Sequence, residues 1–157
     1  MSKKEDSQSK QLIGNRKAYF NYEILESFEV GIVLTGTEVK VLRDGSGSIE
    51  ESYISIDERE LWLVNSSIPP YKWGSFYNHT EKRKRKLLAH KSEIIHIERA
   101  LQEKGLSCIP LALYLKKGLV KMKIALGRGK KLHDKREKIK ERDEKRHIDR
   151  VMKNFNG

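Results

Sequence analysis

The chain has little of what marks several common protein classes. Cys108 is the single cysteine among 157 residues, so no disulfide forms within the chain. It stands among apolar neighbours, where a buried structural thiol is expected rather than a nucleophile. The longest apolar stretch, Ile109 to Leu115, falls far short of the ~20 residues that cross a bilayer. Met1 to Gln11 lack the apolar centre of a secretion signal, so a cytoplasmic location with no membrane partner is expected. Histidines are few and scattered: His79, His90, His96, His133 and His147 show no zinc-site spacing, and neither metal nor cofactor is expected. Gly127-Arg-Gly129-Lys130-Lys131 lacks the spacer and the Ser or Thr of a phosphate loop. His133 and Asp134 lie in a basic tail with no scaffold to hold a base and its orienting acid. No catalytic constellation remains, and an enzyme is not expected.

Acidic charge is scarce in one half only. The formal net charge of +11 divides into −3 over residues 1–79 and +14 over residues 80–157. Two stretches carry the excess, Lys82 to Lys86 and the segment from Arg128 to Gly157, where twelve Lys or Arg meet six Asp or Glu. Two basic surfaces in a chain of pI ≈ 9.7 point to nucleic acid rather than to a solvated face alone. The last segment has too few apolar residues to fold by itself. Ile148, Val151, Met152 and Phe155 nonetheless recur at helical spacing, and Glu141/Lys145 and Asp149/Lys153 pair four apart. The tail is therefore expected to be disordered when free and helical when bound.

The rest reads as strands with short helices. Tyr22 to Ile24 and Phe28 to Leu34 have strand patterns; Thr37 is expected to cap a helix through Leu42 that Asp44-Gly45 ends. Ile49 to Ile56 and Leu61 to Asn65 suggest a hairpin about the turn Asp57 to Glu60. A long loop from Tyr71 to Lys86 follows, whose aromatics Tyr71, Trp73, Phe76 and Tyr77 beside the basic run suit base stacking or, as read for Tyr71 and Trp73, core positions closing a barrel. Ser92 is expected to start a helix with Ile94, Ile97 and Leu101 on one face and Gly105 as its stop. Leu106 to Leu115 and Leu119 to Leu126 form strands about the turn at Lys116 to Gly118, with Val120, Met122 and Ile124 alternating against Lys121 and Lys123. The expected fold is mainly β with short helices, an OB-like small β-barrel plus a basic C-terminal tail. Residues 1–14 are read as a flexible leader, 15–127 as the barrel and 128–157 as the tail.

Five stretches carry a family pattern: Asn15-Arg-Lys-Ala18, Phe28-Glu-Val-Gly-Ile32, Gly36-Thr-Glu-Val-Lys40 with Leu42-Arg43, Arg85-Lys-Leu-Leu88, and Gly129-Lys-Lys-Leu-His-Asp-Lys-Arg136. In this order they resemble the small protein B family, the SsrA-binding proteins, from about Asn15 to Asn154. Phe20 stands where that family commonly has histidine, and Ala89 where a third leucine is often found.

The resemblance implies an adaptor for rescue of stalled ribosomes, whose barrel binds the tRNA-like domain of transfer-messenger RNA in place of an anticodon arm. By motif, Asn15, Glu29 and Leu88 fall where the family contacts its RNA, with Lys17, Lys40, Arg43, Arg85 and Lys86 as supports. An acid at Glu29 would accept a hydrogen bond from a base or sugar, which lends specificity rather than charge attraction. The tail would enter the empty messenger channel, where Gly129, Lys130, Lys131, His133, Asp134, Lys135 and Arg136 would touch small-subunit rRNA. Elongation factor Tu is implied as an indirect partner through the RNA complex. The rival readings are a structural ribosomal protein and an RNA-processing enzyme.

Overall fold

The computed structural model describes residues 9–74, 78–130, 142 and 145–147. In chain order the elements are β1 (Ser9–Gly14), α1 (Arg16–Asn21), β2 (Tyr22–Ile32), α2 (Gly36–Arg43), β3 (Tyr53–Asp57), β4 (Glu60–Val64), β5 (Arg85–Leu88), α3 (Lys91–Glu103), β6 (Ser107–Lys116) and β7 (Leu119–Gly129). The strands form one antiparallel sheet in the order β1-β6-β7-β2-β5-β4-β3. It curls until β3 approaches β6, a partly open barrel of the expected mainly-β class. No helix among the described residues is long and apolar enough to cross a membrane.

Alternation along the strands fills the interior. Val30, Ile32, Leu61, Leu63, Leu87, Leu113, Met122 and Ile124 meet there, joined by Val41 and Leu42 of α2 and by Ile97 of α3. A second, smaller cluster packs Ala18 of α1 on Ile109, Leu111 and Ala125. Cys108 is buried, and burial pushes its thiol up to about 12. Two hairpins turn on two residues each, Glu58-Arg59 and Lys117-Gly118, all four with positive φ (48°, 61°, 51° and 78°). That geometry matches the strand twist, and only the second turn uses a glycine.

Several boundaries differ from the sequence reading. The expected leader becomes, from Ser9 on, an edge strand paired with β6, because Leu12 and Ile13 find the core. Thr35, not Thr37, caps α2: its hydroxyl accepts from the Glu38 N–H while Glu38 accepts from the Thr35 N–H. His90 occupies the N-cap of α3 in place of Ser92, and Glu93 accepts its N–H at 3.1 Å. The first hairpin strand starts at Tyr53 rather than Ile49. The stretch ending the expected loop is the interior strand β5, its alternation hidden by the five cations Lys82 to Lys86 before Leu87. Tyr71 packs partly against the core, but Trp73 is 77% exposed and closes nothing. At the other end Arg128 and Gly129 finish β7, and the Lys130 N–H and ammonium donate to the Asn21 and Tyr19 carbonyls. The tail's root is thus tied to α1. Arg142 and residues 145–147 are helical, whereas Ile148, Val151, Met152 and Phe155 lie outside the described residues.

Candidate nucleic-acid interface

The motif Arg85-Lys-Leu-Leu88 is a strand, and its period of two sends its members to opposite faces. Arg85 and Leu87 point inward; Lys86 is partly exposed and Leu88 is 54% exposed. Leu88 stands opposite Gly31 of β2, and a Cβ on Gly31 would lie 3.2 Å from the Leu88 Cβ. The missing side chain leaves Leu88 its place beside β2. Glu29, two residues before Gly31 on β2, shares with Leu88 a shallow groove of about 390 Å³ that His90, Glu93 and Lys121 also line. Two sequence-predicted contacts, Glu29 and Leu88, are therefore brought together by the β2–β5 ladder.

Glu29 is held from the other side by β6. The Tyr114 hydroxyl donates to its Oε2 at 2.5 Å, and the Lys116 ammonium lies 3.4 Å from Oε1 and 3.3 Å from Oε2. The Tyr114 bond, helped by Lys116, outweighs partial burial and holds the Glu29 carboxyl below its ordinary range. Burial first, and the carboxylate second, push the Tyr114 phenol up. Glu29 is thus an ionised acceptor fixed in direction on an exposed face, among lysines that can meet phosphate.

The other expected contacts lie elsewhere. Asn15 is buried: its amide donates to the Pro110 carbonyl at 2.8 Å while its oxygen caps α1 through the Ala18 N–H. Lys17, exposed on α1, pairs with Glu51 at 2.7 Å. Lys40 and Arg43 are exposed on α2, with the Lys40 ammonium 5.2 Å from the Tyr71 ring centre. Lys86 pairs with Glu60 of β4 at 3.1 Å.

Arg85 does not face solvent at all. It and Glu38 are fully buried and joined, with the Arg85 Nε 2.6 Å from Glu38 Oε2. Arg85 also donates to the Ser66 hydroxyl and to the Arg83 and Glu81 carbonyls. Arg83 pairs with the other Glu38 oxygen. Burial pushes the Glu38 carboxyl up, but Arg83, the Thr35 N–H and Arg85 together outweigh it and keep the group below its ordinary value. His79, also buried, braces the same corner: its Nε2 lies 2.9 Å from the Ile68 and Pro69 carbonyls and its Nδ1 2.8 Å from the Thr37 hydroxyl. Arg85 therefore fastens the basic connection to α2 from inside the fold.

Gly129 and Lys130 fall at the end of β7, beside α1, whereas Lys131, His133, Asp134, Lys135 and Arg136 lie outside the described residues. Tyr114, Lys116 and Lys121 were not singled out from the sequence; the outward alternation of Lys121 and Lys123 was the available signal. Among the described residues no three His, Cys, Asp or Glu are grouped to hold a metal ion.

Comparisons with known proteins agree on one family. The model of the SmpB protein family matches residues 12–154. The SsrA-binding protein of Chlamydia caviae is 48% identical over 147 residues, covering 94% of this chain and 98% of its own. That of Trichormus variabilis is 49% identical over 156 residues, covering 99% and 100%. A solved chain described as "tmRNA-SmpB: a journey to the center of the bacterial ribosome" superposes with a TM-score of 0.65 at 43% identity, covering 78% of this chain and 87% of that one. The pattern of five stretches, the curled sheet and these matches place the chain in the SmpB protein family, the SsrA-binding proteins.

Proposed function

We propose that this protein binds transfer-messenger RNA and serves as the adaptor that brings it to stalled ribosomes in trans-translation. The observation that carries the site is the convergence of Glu29 and Leu88, from separate strands, on one groove with Lys121. Leu88 supplies an exposed apolar contact for a base, Glu29 an oriented acceptor, and the lysines the attraction to phosphate. Asn15 and Arg85 act beneath this surface, one fixing α1 on β6 and the other fixing the connection before β5. The basic tail, including Lys131, His133, Asp134, Lys135 and Arg136, reaches the small-subunit rRNA. Elongation factor Tu joins only through the RNA. No covalent step is assigned to the protein, which works by positioning.

The test is a gel-shift titration against transfer-messenger RNA with bulk tRNA as competitor, for the full chain and for a truncation ending at Lys130. That end keeps β7 and the Lys130 contacts with α1, which a cut after Leu126 would remove. Tight, competitor-resistant binding by both forms, with tagging lost in the truncation, is the expected result. Equal affinity for both RNAs would overturn the reading in favour of a general basic RNA binder.

A further inference from the structure

On the side of Glu29 away from Leu88, the outer face of the sheet carries a hollow of about 360 Å³. Its lining includes Gln11 of β1, Ser27 and Glu29 of β2, Ala112 and Tyr114 of β6, and Lys123 of β7, with Lys116 at its edge. The hollow has a local cause. The β1–β6 pairing shifts register between Gln11 and Ile13, and the β6–β7 pairing between Pro110 and Ala112. Bulges bend strands and re-aim their side chains. Here they leave the small residues Ser27 and Ala112 between the long side chains of Tyr114, Glu29 and Lys123. Its volume falls in the range of small-molecule sites, roughly 300 to 1,000 Å³.

The chemistry of the rim narrows the guest. Glu29 repels a simple anion, and Lys116 and Lys123 repel a simple cation. A guest that satisfies both carries hydrogen-bond donors at one end and negative charge at another. Glu29 already accepts from Tyr114 and Lys116, yet a carboxylate has about four lone-pair directions, so it retains acceptor capacity. A nucleotide has the required polarity, and its unpaired base can present a Watson–Crick edge. Of the four bases only guanine sets two donors side by side on that edge, N1–H and the N2 amino group. Adenine and cytosine place an acceptor beside the amino group, and uracil flanks one donor with acceptors.

We propose that the hollow over Ala112 is a nucleotide subsite that takes an unpaired guanosine of the bound RNA, guanine donors on Glu29 and phosphate toward Lys116 and Lys123. The inference rests on the reading that this face binds RNA and adds which base it reads. Tyr114 is then a positioning residue: it aims the carboxylate and does not itself select the base. An RNA lying over both sides of Glu29 uses the Leu88 groove for apolar contact and the hollow for base identity.

The experiment is a titration of the full-length, 15N-labelled protein with the four nucleoside 5′-monophosphates and with inosine 5′-monophosphate, read by amide shifts. GMP is expected to give saturable shifts at Ser27, Ala112, Tyr114 and Lys123. Inosine monophosphate, lacking the N2 donor, is expected to bind about tenfold more weakly, the worth of one charge-assisted hydrogen bond. AMP, CMP and UMP should bind more weakly still. Ala112→Met fills the hollow and should abolish the GMP shifts while leaving the melting temperature and the amides around Leu88 unchanged. Tyr114→Phe should reduce the preference of GMP over AMP and raise the Glu29 side-chain pKa, a readout that packing alone does not move. Equal shifts from all five nucleotides, shifts confined to the lysines, no saturable shift, or an Ala112→Met variant that binds GMP normally would each overturn the subsite. Because these probes need no transfer-messenger RNA, failure here with tight binding of that RNA removes the subsite alone; failure of that RNA to bind removes the broader reading.

Discussion

Glu29 and Glu38 lie nine positions apart, and each meets cations from later in the chain, yet they do opposite work. Glu38 is fully buried between Arg83 and Arg85, its oxygens spent on those guanidinium groups and on the Thr35 N–H. Glu29 sits on the outer face, steadied by Tyr114 and Lys116 but open to solvent. A carboxylate whose partners surround it holds the fold; one whose partners stand to one side can still accept from a ligand. The same division runs through Arg85-Lys-Leu-Leu88, where two residues turn inward and two outward.

The largest effect is expected at the buried pair. Glu38→Ala leaves two guanidinium groups without their counter-charge, and loss of one partner of a buried pair costs about 3–5 kcal/mol. Chemical denaturation should show that loss, with RNA affinity falling only as the folded fraction falls. If Glu38→Ala melts like the parent protein, the structural half of the comparison is broken.

Next come the exposed residues, where affinity should change without stability. Glu29→Gln removes a charged acceptor worth about 1.5–3 kcal/mol, so the affinity for transfer-messenger RNA should drop roughly ten- to a hundredfold at an unchanged melting temperature. Gly31→Ala sharpens the same point: its Cβ must displace Leu88, so binding should weaken although neither Glu29 nor Leu88 is altered. Calorimetry beside a filter-binding curve separates these outcomes.

The pH response follows from the direction of the Glu38 shift. Its folded-state pKa lies below the unfolded value of about 4.3, so its contribution is fully present above that value and is lost as pH falls through the folded pKa. Melting temperature should fall below about pH 4, and Glu38→Gln should flatten that part of the profile. The smallest effect is expected in the first hairpin turn. Arg59 holds φ at 61°, and Arg59→Gly should raise stability by about 0.5–1 kcal/mol by easing that conformation, with no change in RNA binding. A destabilised variant would mean that the Arg59 side chain matters more than its backbone.

Much of the architecture was legible where one local period dominates. The face of α3 with Ile97 inward, the β6–β7 hairpin and the buried Cys108 all follow from patterns within a dozen residues. Arg85 was hidden because it is one of five consecutive cations before Leu87, and its counter-charge Glu38 lies 47 positions away. Tyr114 was hidden likewise, being 85 positions from Glu29. The N-cap of α2 was available in the sequence: Thr35 and Glu38 have capping-box spacing, whereas Thr37 has no such partner. The side a strand residue faces is readable only once its strand is recognised, and β5 concealed itself as a charge run.

The central claim, that one motif divides between holding the fold and touching RNA, is tested most directly by comparing Arg85→Met with Leu88→Ala. Each protein would be melted and titrated with transfer-messenger RNA under the same salt. Arg85→Met is expected to lower the melting temperature sharply while its folded fraction retains near-parental affinity, and Leu88→Ala to melt like the parent but bind about tenfold more weakly, ~1.4 kcal/mol. The reverse pattern, a stable Arg85→Met that fails to bind or a Leu88→Ala that binds normally, would contradict it.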